Sequence, residues 1–280
     1  MLVDVGAGGL IAAFTLLPLA WKWQLGMARV AVAVLCLAGV AGAFVSAVDF
    51  RAIPEPLSVW SLTVLASFGL LAYRFYRDPE RRVPEERDVV ISPADGEVLY
   101  VRESRSGELP VSSKKGRRYT LEELTRTRLQ TGDAVVIGIG LSLLDVHVNR
   151  APIGGVVSVQ EHHKGSFASL RRLESVFANE RATMVIERDG LQIAIVLIAS
   201  RLVRRIVSFI SEGQQVACGE RIGAIRLGSQ VDLVLPAHDD LRIRVKPGDR
   251  VTAGETRLAT LSASAEPPNL HPVTTARSVT

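Results

Sequence analysis

The sequence predicts an α+β protein in which two or three transmembrane helices precede a mainly antiparallel β domain. Hydrophobic residues make up 48% of the 280 residues, and the mean hydropathy is positive at +0.23. Both values are high for a soluble protein, and the longest apolar runs lie in the first quarter of the chain. From Asp88 onward, short β-rich segments separated by Gly, Pro, Asn and Asp replace these runs.

Three uncharged apolar runs near the N-terminus are close to the length that crosses a bilayer. They cover residues 5–21, 30–48 and 56–73, which is 17, 19 and 18 residues. The first run contains three glycines and a proline, so the sequence leaves two and three spans open. A cleaved signal peptide is the weaker reading of this run, since no basic residue precedes it.

The charges between the runs predict the orientation of the anchor. The connection after the first run and the segment after the third are net positive, whereas the connection between them is net acidic. Under the positive-inside rule, the β domain then lies on the cytoplasmic face of the cell membrane. Trp21, Trp23 and Trp60 all lie near run ends, as interfacial aromatic residues do.

Cysteine count and net charge exclude several classes of protein. Cys36 and Cys218 are the two cysteines, too few for a disulfide framework or a zinc set, and we expect no metal. The net charge of +4 could favour nucleic acid, but the chain has no nucleic-acid motif. Basic residues beside a membrane anchor are better explained by an anionic lipid surface.

The domain boundaries follow from these changes in composition. We expect a membrane anchor over residues 1–74, a β domain over 75–262 and a disordered tail over 263–280. Thr120 to Glu123 has a capping-box pattern that opens a short helix, and residues 104–118 read as a polar loop. Strands are expected at residues 89–91, 98–101, 134–139, 156–159, 184–186, 191–198, 221–226 and 231–235.

One pattern occurs twice in the β domain. Gly-x-x-Val-x-x-Gly-Glu begins at Gly213 and recurs 35 residues later at Gly248. Each copy is a turn that leads into a strand, and the pair resembles the hairpins of biotinyl- and lipoyl-type domains. A membrane-tethered lipoyl-like binding or adaptor module is therefore one alternative for the function.

Three residue types far apart in the chain complement one another chemically. Asp95 could orient and polarise the imidazole of His147, and His147 could take a proton from the hydroxyl of Ser229 near neutral pH. Ser229 follows Gly228, whose carbonyl is unhindered because glycine has no Cβ. Each residue also has a structural reading, as a turn aspartate, a core histidine or a turn serine. Together they have the logic of a serine triad.

Six segments of the sequence carry a further signal through their combination and order. They are Phe75 to Pro79, Ser92 to Gly96, Asp145 to Pro152, Gly165 to Phe167, Asn179 to Arg181 and Leu227 to Pro236. Together they resemble the phosphatidylserine decarboxylase proenzymes, which have such segments in the same order. The likeness covers roughly residues 75–261.

The resemblance implies a self-processing, pyruvoyl-dependent decarboxylase. Ser229, assisted by His147 and Asp95, would attack the Gly228 carbonyl and cleave the chain between Gly228 and Ser229. The products would be residues 1–228 and 229–280, a heterodimer whose second chain has 52 residues. Ser229 would become a covalent pyruvoyl group, the only cofactor. A Schiff base between this group and phosphatidylserine would lose CO2 and leave phosphatidylethanolamine.

The sequence also departs from the family pattern. Arg150 stands where longer members have a second histidine, so His163 becomes a candidate to share the work of His147. Gln230 stands where short members commonly have arginine. A decarboxylase of another serine-headgroup lipid, such as archaetidylserine, is a further alternative, and the oligomeric state stays open. Further candidate substrate-contacting or supporting residues are Asn149, Arg150, Asn179, Glu180 and Arg181.

Overall fold

The protein is described here from a computed structural model. The description covers residues 2–23, 25–48, 53–112, 118–170, 172–200, 206–225 and 229–261. Gly228, Lys114, Lys115, Arg117 and the expected tail at 263–280 therefore lie outside the described residues.

Three long helices form the N-terminal part: α1 (Leu2–Lys22), α2 (Met27–Val48) and α3 (Glu55–Tyr76). All three are long and apolar enough to cross a membrane. Glycines at helix contacts, including Gly8 of the first predicted span, have a packing role. A Cβ at Gly8 would lie 2.6 Å from the Pro56 carbonyl oxygen, and one at Gly42 would lie 2.5 Å from the side chain of Val5. Small residues thus let the helices approach closely.

The rest of the described chain is built mainly from antiparallel strands, with two short helices. The strands are β1 (Val89–Ile91), β2 (Gly96–Ser104), β3 (Glu108–Ser112), β4 (Arg118–Thr120), β5 (Ala134–Gly140), β6 (Val148–Arg150), β7 (Gly155–His163), β8 (Arg181–Arg188), β9 (Leu191–Ile198), β10 (Ile206–Ser208), β11 (Gln215–Val216), β12 (Arg221–Ile225), β13 (Gln230–Pro236), β14 (Leu241–Ile243), β15 (Arg250–Val251) and β16 (Arg257–Leu261). The short helices are α4 (Leu121–Thr125) and α5 (Leu173–Ala178).

An eight-stranded sheet in the order β11-β7-β8-β9-β13-β5-β2-β15 forms the centre of this domain. Two three-stranded sheets, β1-β16-β14 and β10-β12-β6, pack on one face, and α4, α5, β3 and β4 pack on the other. Side chains alternate along a strand, so β9 contributes Ile195 and Leu197 to one core and Val196 and Ile198 to the other. Burial on both faces explains why the central strands are continuous apolar runs.

Two local expectations had different outcomes. The capping box is confirmed, because Glu123 N–H donates to Thr120 Oγ1 at 3.1 Å and Thr120 N–H donates to Glu123 Oε2 at 3.0 Å. The polar loop at 104–118 was wrong in part, since β3 and β4 pair there. Leu109 and Tyr119 hold this pair against the core, where the Tyr119 ring stacks on Phe177 at 3.9 Å.

The two copies of the glycine pattern have the same backbone geometry. Gly213, Gly219, Gly248 and Gly254 all have positive φ, between 79° and 93°, which favours glycine. The short strands that follow the first glycines, β11 and β15, form the two ends of the eight-stranded sheet. The repeat in the sequence is thus a repeat in structure.

Candidate active site

Three chain segments cross between the eight-stranded sheet and the β10-β12-β6 sheet at one edge of the domain. In register, Gln230 of β13 pairs with Ile198 of β9 and Gly140 of β5. From these strands the chain passes to β10, β12 and β6, which pair with one another. In sequence these connections are residues 199–205, 226–229 and 141–147, of which the structure describes 199–200, 229 and 141–147. Ser229 and His147 therefore lie on crossings that run between the same two sheets.

Backbone hydrogen bonds tie these crossings together at both ends. Leu141 N–H donates to the Ser229 carbonyl at 2.9 Å, and Ile225 N–H donates to the His147 carbonyl at 3.1 Å. Ile225 thus lies beside His147, and Ser229 lies beside Leu141. This arrangement brings the surroundings of His147 and of Ser229 together although 82 residues separate them in sequence.

Ser229 is buried, with 3% of its surface exposed, and its Oγ has no hydrogen-bond partner among the described residues. Buried hydroxyls nearly always make a hydrogen bond, so an unpaired one calls for an explanation. A nucleophile that is poised to react is one such explanation.

His147 is equally buried, and neither of its ring nitrogens has a partner within the described part of the chain. Its ring lies 4.3 Å from the Phe75 ring at the end of α3. Burial lowers the pKa of His147, and the nearby backbone of Asp145 and the charges of Asp145 and Asp95 act in the opposite direction. The imidazole is therefore neutral at pH 7 and can accept a proton.

Asp95 does not make the hydrogen bond to His147 that a triad would require. Its carboxylate instead accepts bonds from Arg81 Nη2, at 3.0 and 2.9 Å, and from Ala253 N–H at 2.8 Å. Arg81 comes from the linker after α3, a cation that the sequence did not connect with Asp95. Asp95 acts on His147 by its charge across space.

Asp145 is a second buried carboxylate beside His147, which the sequence did not single out. It accepts a hydrogen bond from Ser142 N–H at 2.7 Å and pairs with Arg250. These contacts fix the 141–147 crossing and hence the position of His147. The only feature of the sequence that pointed to Asp145 was its position two residues before His147.

Comparison with known proteins identifies the family. A sequence profile described as phosphatidylserine decarboxylase matches residues 68–259. This chain belongs to the phosphatidylserine decarboxylase family. It is thus an enzyme, a carboxy-lyase of phospholipid synthesis.

Several curated relatives support this membership. A phosphatidylserine decarboxylase proenzyme from Symbiobacterium thermophilum is 37% identical over 220 residues, 78% of this chain and 92% of the relative. One from Erythrobacter litoralis is 42% identical over 202 residues, 71% of this chain and 76% of the relative. A protein of Methanocaldococcus jannaschii named "Putative archaetidylserine decarboxylase proenzyme" is 39% identical over 197 residues, 70% of this chain and 92% of the relative.

The side chain of Arg150 in this decarboxylase makes its hydrogen bonds to groups other than His147. The Arg150 guanidinium donates to the Gly219 carbonyl at 2.9 Å and to Asp78 and the Pro79 carbonyl at 3.2 and 3.0 Å. Arg150 therefore fastens the linker from the membrane helices to the decarboxylase domain.

Asn149 is fully buried on β6. Its Nδ2 lies 3.4 Å from the Pro93 carbonyl, and its Oδ1 has no partner among the described residues. With His147 and Ser229, it is a third residue at this edge with an unpaired buried polar atom.

Asn179 and Arg181, two of the candidate supporting residues, are both buried. The Asn179 amide makes four bonds of 2.8–2.9 Å to Ser166, Ala168 and Ala199. Arg181 donates to four backbone carbonyls, including Leu124 at the end of α4 and Val176 in α5. Burial lowers the pKa of Arg181 to about 10, so it remains charged at neutral pH. Asn179 thus fixes Ala199, which directly follows β9, and Arg181 fixes α4 and α5 against β8.

Glu180 and His163 lie farther from Ser229. Glu180 Oε1 is 3.0 Å from His162 Nε2, and His163 Nε2 is 3.0 Å from Glu161. In register, β8 and β9 separate His163 from Gln230. At ~4.8 Å per strand, their Cα atoms are about 14 Å apart. The structure does not bring His163 to His147.

Proposed function

We propose that this enzyme cuts its own chain between Gly228 and Ser229 and then decarboxylates phosphatidylserine to phosphatidylethanolamine. Family membership supports the reaction class, and the relatives' names as proenzymes fit the processing. The observation that carries the proposal is the pair of buried, unpaired groups, Ser229 Oγ and the neutral imidazole of His147, on neighbouring crossings.

In the processing step, His147 takes the Ser229 hydroxyl proton while Oγ attacks the Gly228 carbonyl carbon. The peptide C–N bond breaks and leaves an ester between Gly228 and Ser229. Loss of the Ser229 Cα proton then breaks the Cβ–Oγ bond, which frees the Gly228 carboxylate. Addition of water and loss of ammonia convert the new N-terminus to a pyruvoyl group. Asp95 assists by stabilising the imidazolium form of His147.

The orphaned polar atoms of His147 and Asn149 fit a site for this group, because they leave buried donors and acceptors available after Ser229 Oγ has departed with Gly228. The pyruvoyl ketone supplies an electron sink for the negative charge left at the substrate Cα. Residue 229 would carry it at the start of β13, whose two neighbouring strands fix its position. We assign to His147 the delivery of a proton to Cα after CO2 leaves.

The membrane anchor places the site at the cytoplasmic surface in this proposal. Phe75, the next-to-last residue of α3, packs on His147. A diacyl lipid then reaches the site without leaving the bilayer, and the processed chains, 1–228 and 229–280, remain together as a heterodimer.

A second candidate substrate is archaetidylserine, because a 39% identical relative carries that name. Ester-linked and ether-linked serine lipids assayed side by side will separate the two. We also retain the likeness of the glycine turns to lipoyl-type hairpins as a proposal about the fold. The adaptor alternative is set aside because the chain belongs to an enzyme family.

Intact mass of the purified protein tests the processing. The expected result is two chains, with a pyruvoyl group at the start of the 52-residue chain. Ser229→Ala should remain one folded chain with no decarboxylase activity. A folded wild-type chain that stays uncleaved would overturn the proposal.

A further inference from the structure

An apolar groove lies where the three membrane helices meet the decarboxylase domain. It is formed by the end of α1, the start of α2 and the end of α3, and its volume is about 270 Å³. Ala33, Leu37 and Phe68 are among the residues that line its apolar part. Leu144, from the 141–147 crossing, lines its wall on the side of the decarboxylase domain.

This groove adjoins the candidate active site through two chain segments. Leu144 lies three residues before His147, and its carbonyl accepts a hydrogen bond from Arg77 Nη2 at 3.1 Å. On α3, Arg74 lines the groove, while the next residue, Phe75, contacts the His147 ring. The groove and the catalytic histidine thus share two chain segments as walls.

Two arginines make this groove positively charged at the end nearest the decarboxylase domain. Arg29 and Arg74 both line it and are exposed. No acidic side chain within the described part of the chain forms an ion pair with either. Both stand at the helix ends that face the decarboxylase domain, the level at which basic residues meet lipid phosphates.

We propose that this groove holds one acyl chain of the substrate phospholipid, with the lipid phosphate on Arg29 and Arg74, and so directs the serine headgroup to His147. The inference rests on the proposed function, since it names the substrate's place on the same site. The groove is slightly smaller than the ~300 Å³ at the low end of ligand pockets. It therefore takes one chain, and the second stays in the bilayer.

Ala33→Trp tests the apolar part because it fills the groove, and Leu35→Trp is its control. Leu35 lies on the same helix, is 69% exposed and does not line the groove. The readout is kcat/KM for long-chain phosphatidylserine in vesicles divided by kcat/KM for a water-soluble short-chain form. Ala33→Trp should lower this ratio roughly tenfold, about 1.4 kcal/mol. Leu35→Trp should keep the wild-type ratio. Equal ratios in both variants would overturn the inference.

The charged part is tested by Arg29→Gln combined with Arg74→Gln, with Lys22→Gln as the control. Lys22 is exposed at the end of α1 and does not line the groove, so it reports the general attraction of a basic residue to anionic lipid. The arginine variants should raise KM for vesicle substrate roughly tenfold more than Lys22→Gln does. If each lost charge raises KM for vesicle substrate by the same factor in the arginine variant and in Lys22→Gln, the phosphate is not bound at the groove.

Photolabelling separates failure of this inference from failure of the proposed function. Phosphatidylserine with a photoreactive acyl chain is added to the Ser229→Ala protein, so that no turnover is needed. Label should appear on the groove face of α2, disappear in Ala33→Trp and persist in Leu35→Trp. If labelling follows this pattern but wild type does not decarboxylate the lipid, the inference holds and the proposed function fails. Label spread evenly over the lipid-facing helices overturns the inference.

Discussion

Asp232→Asn is expected to stabilise the protein near pH 7, although Asp232 is hydrogen-bonded. The carboxylate is fully buried on β13, three residues after Ser229. It accepts bonds from Tyr100 Oη, 2.8 Å from each oxygen, and from Gln230 Nε2 at 2.7 Å. No cation among the described residues hydrogen-bonds to it. Burial therefore raises its pKa from 3.8 to about 6.

The size of the effect follows from this pKa. A rise of roughly two units costs about 3 kcal/mol of folding free energy when the group is ionised, at about 1.36 kcal/mol per unit. Asparagine removes the charge and can still accept from Tyr100 if the Gln230 amide rotates to accept from the new NH2 group, which gives up the bond that Gln230 Nε2 donates to Tyr100 Oη. An imperfect bond there costs about 1 kcal/mol. The net gain is about 1–2 kcal/mol, or roughly 2–8 °C in Tm for a domain of this size.

The gain depends on pH in a definite direction. Because the folded-state pKa lies above the unfolded value, the wild type binds a proton in the folded state first as the pH falls, and its own stability then rises. The variant's advantage is therefore complete above about pH 6, shrinks as the pH falls from about 6 towards 3.8, and is lost only below 3.8.

Thermal unfolding in detergent between about pH 4 and about pH 8 measures this effect. Both proteins carry Ser229→Ala so that each is a single chain, and exposed Asp239→Asn is the matched control. A loss of Tm at about pH 7.5 would show that the hydrogen bonds outweigh the burial of the charge, and a gain as large at about pH 4 as at about pH 7.5 would show that the gain does not come from the charge.

Three further changes test the surroundings of the site. Phe75→Ala exposes the His147 ring to water and should raise its pKa, so the acid limb of the pH–rate profile should move to higher pH; an unmoved limb would contradict the role of burial. Arg181→Met leaves four carbonyls without their donor and should cost at least about 3 kcal/mol in denaturant unfolding; a loss under about 1 kcal/mol would show that water replaces it. Thr120→Ala breaks the capping box of α4 and should cost about 1 kcal/mol, whereas Thr120→Ser should restore most of it.

Local pattern predicted much of the fold. The β9 run at 191–198 and the β1 run at 89–91 have the predicted bounds, because apolar β-branched residues between turn residues are a local signal. The capping box at Thr120 is equally local. The bounds of β7 and β8 were too short, since their polar ends carry no such signal.

Non-local contacts explain what the sequence did not reveal. The sequence around Arg181 gives no local sign that this charged residue is buried. Its carbonyl partners Glu123 and Leu124 lie 58 and 57 residues away. Asp232 interrupts an apolar run without any motif, and its partner Tyr100 is 132 residues distant. The position of His163 depends on the order of strands in the sheet. Residue types could suggest Ser229 and His147, but only the pairing of β6 with β12 places them on adjacent crossings.

The roles of the two carboxylates near His147 can be distinguished by substitution, because each substitution leaves a different arginine without its ion-pair partner. The charge of Asp145 opposes the lowering of the His147 pKa more strongly than that of Asp95. However, Asp145→Asn leaves Arg250, whose side chain is 60% exposed and well screened by water. Asp95→Asn leaves Arg81, whose side chain is only 10% exposed. A buried uncompensated cation opposes the imidazolium that forms when His147 takes the Ser229 proton.

We therefore expect Asp95→Asn to slow self-cleavage by about 10²-fold or more, and Asp145→Asn by much less. The cleaved fraction is followed over time by denaturing electrophoresis after cell-free synthesis in the presence of lipid vesicles. Adding Arg81→Met to Asp95→Asn should recover part of the rate, because it removes the uncompensated charge. Cleavage that survives Asp95→Asn but stops in Asp145→Asn would show that the carboxylate two residues before the histidine, rather than the distant one, supports proton transfer.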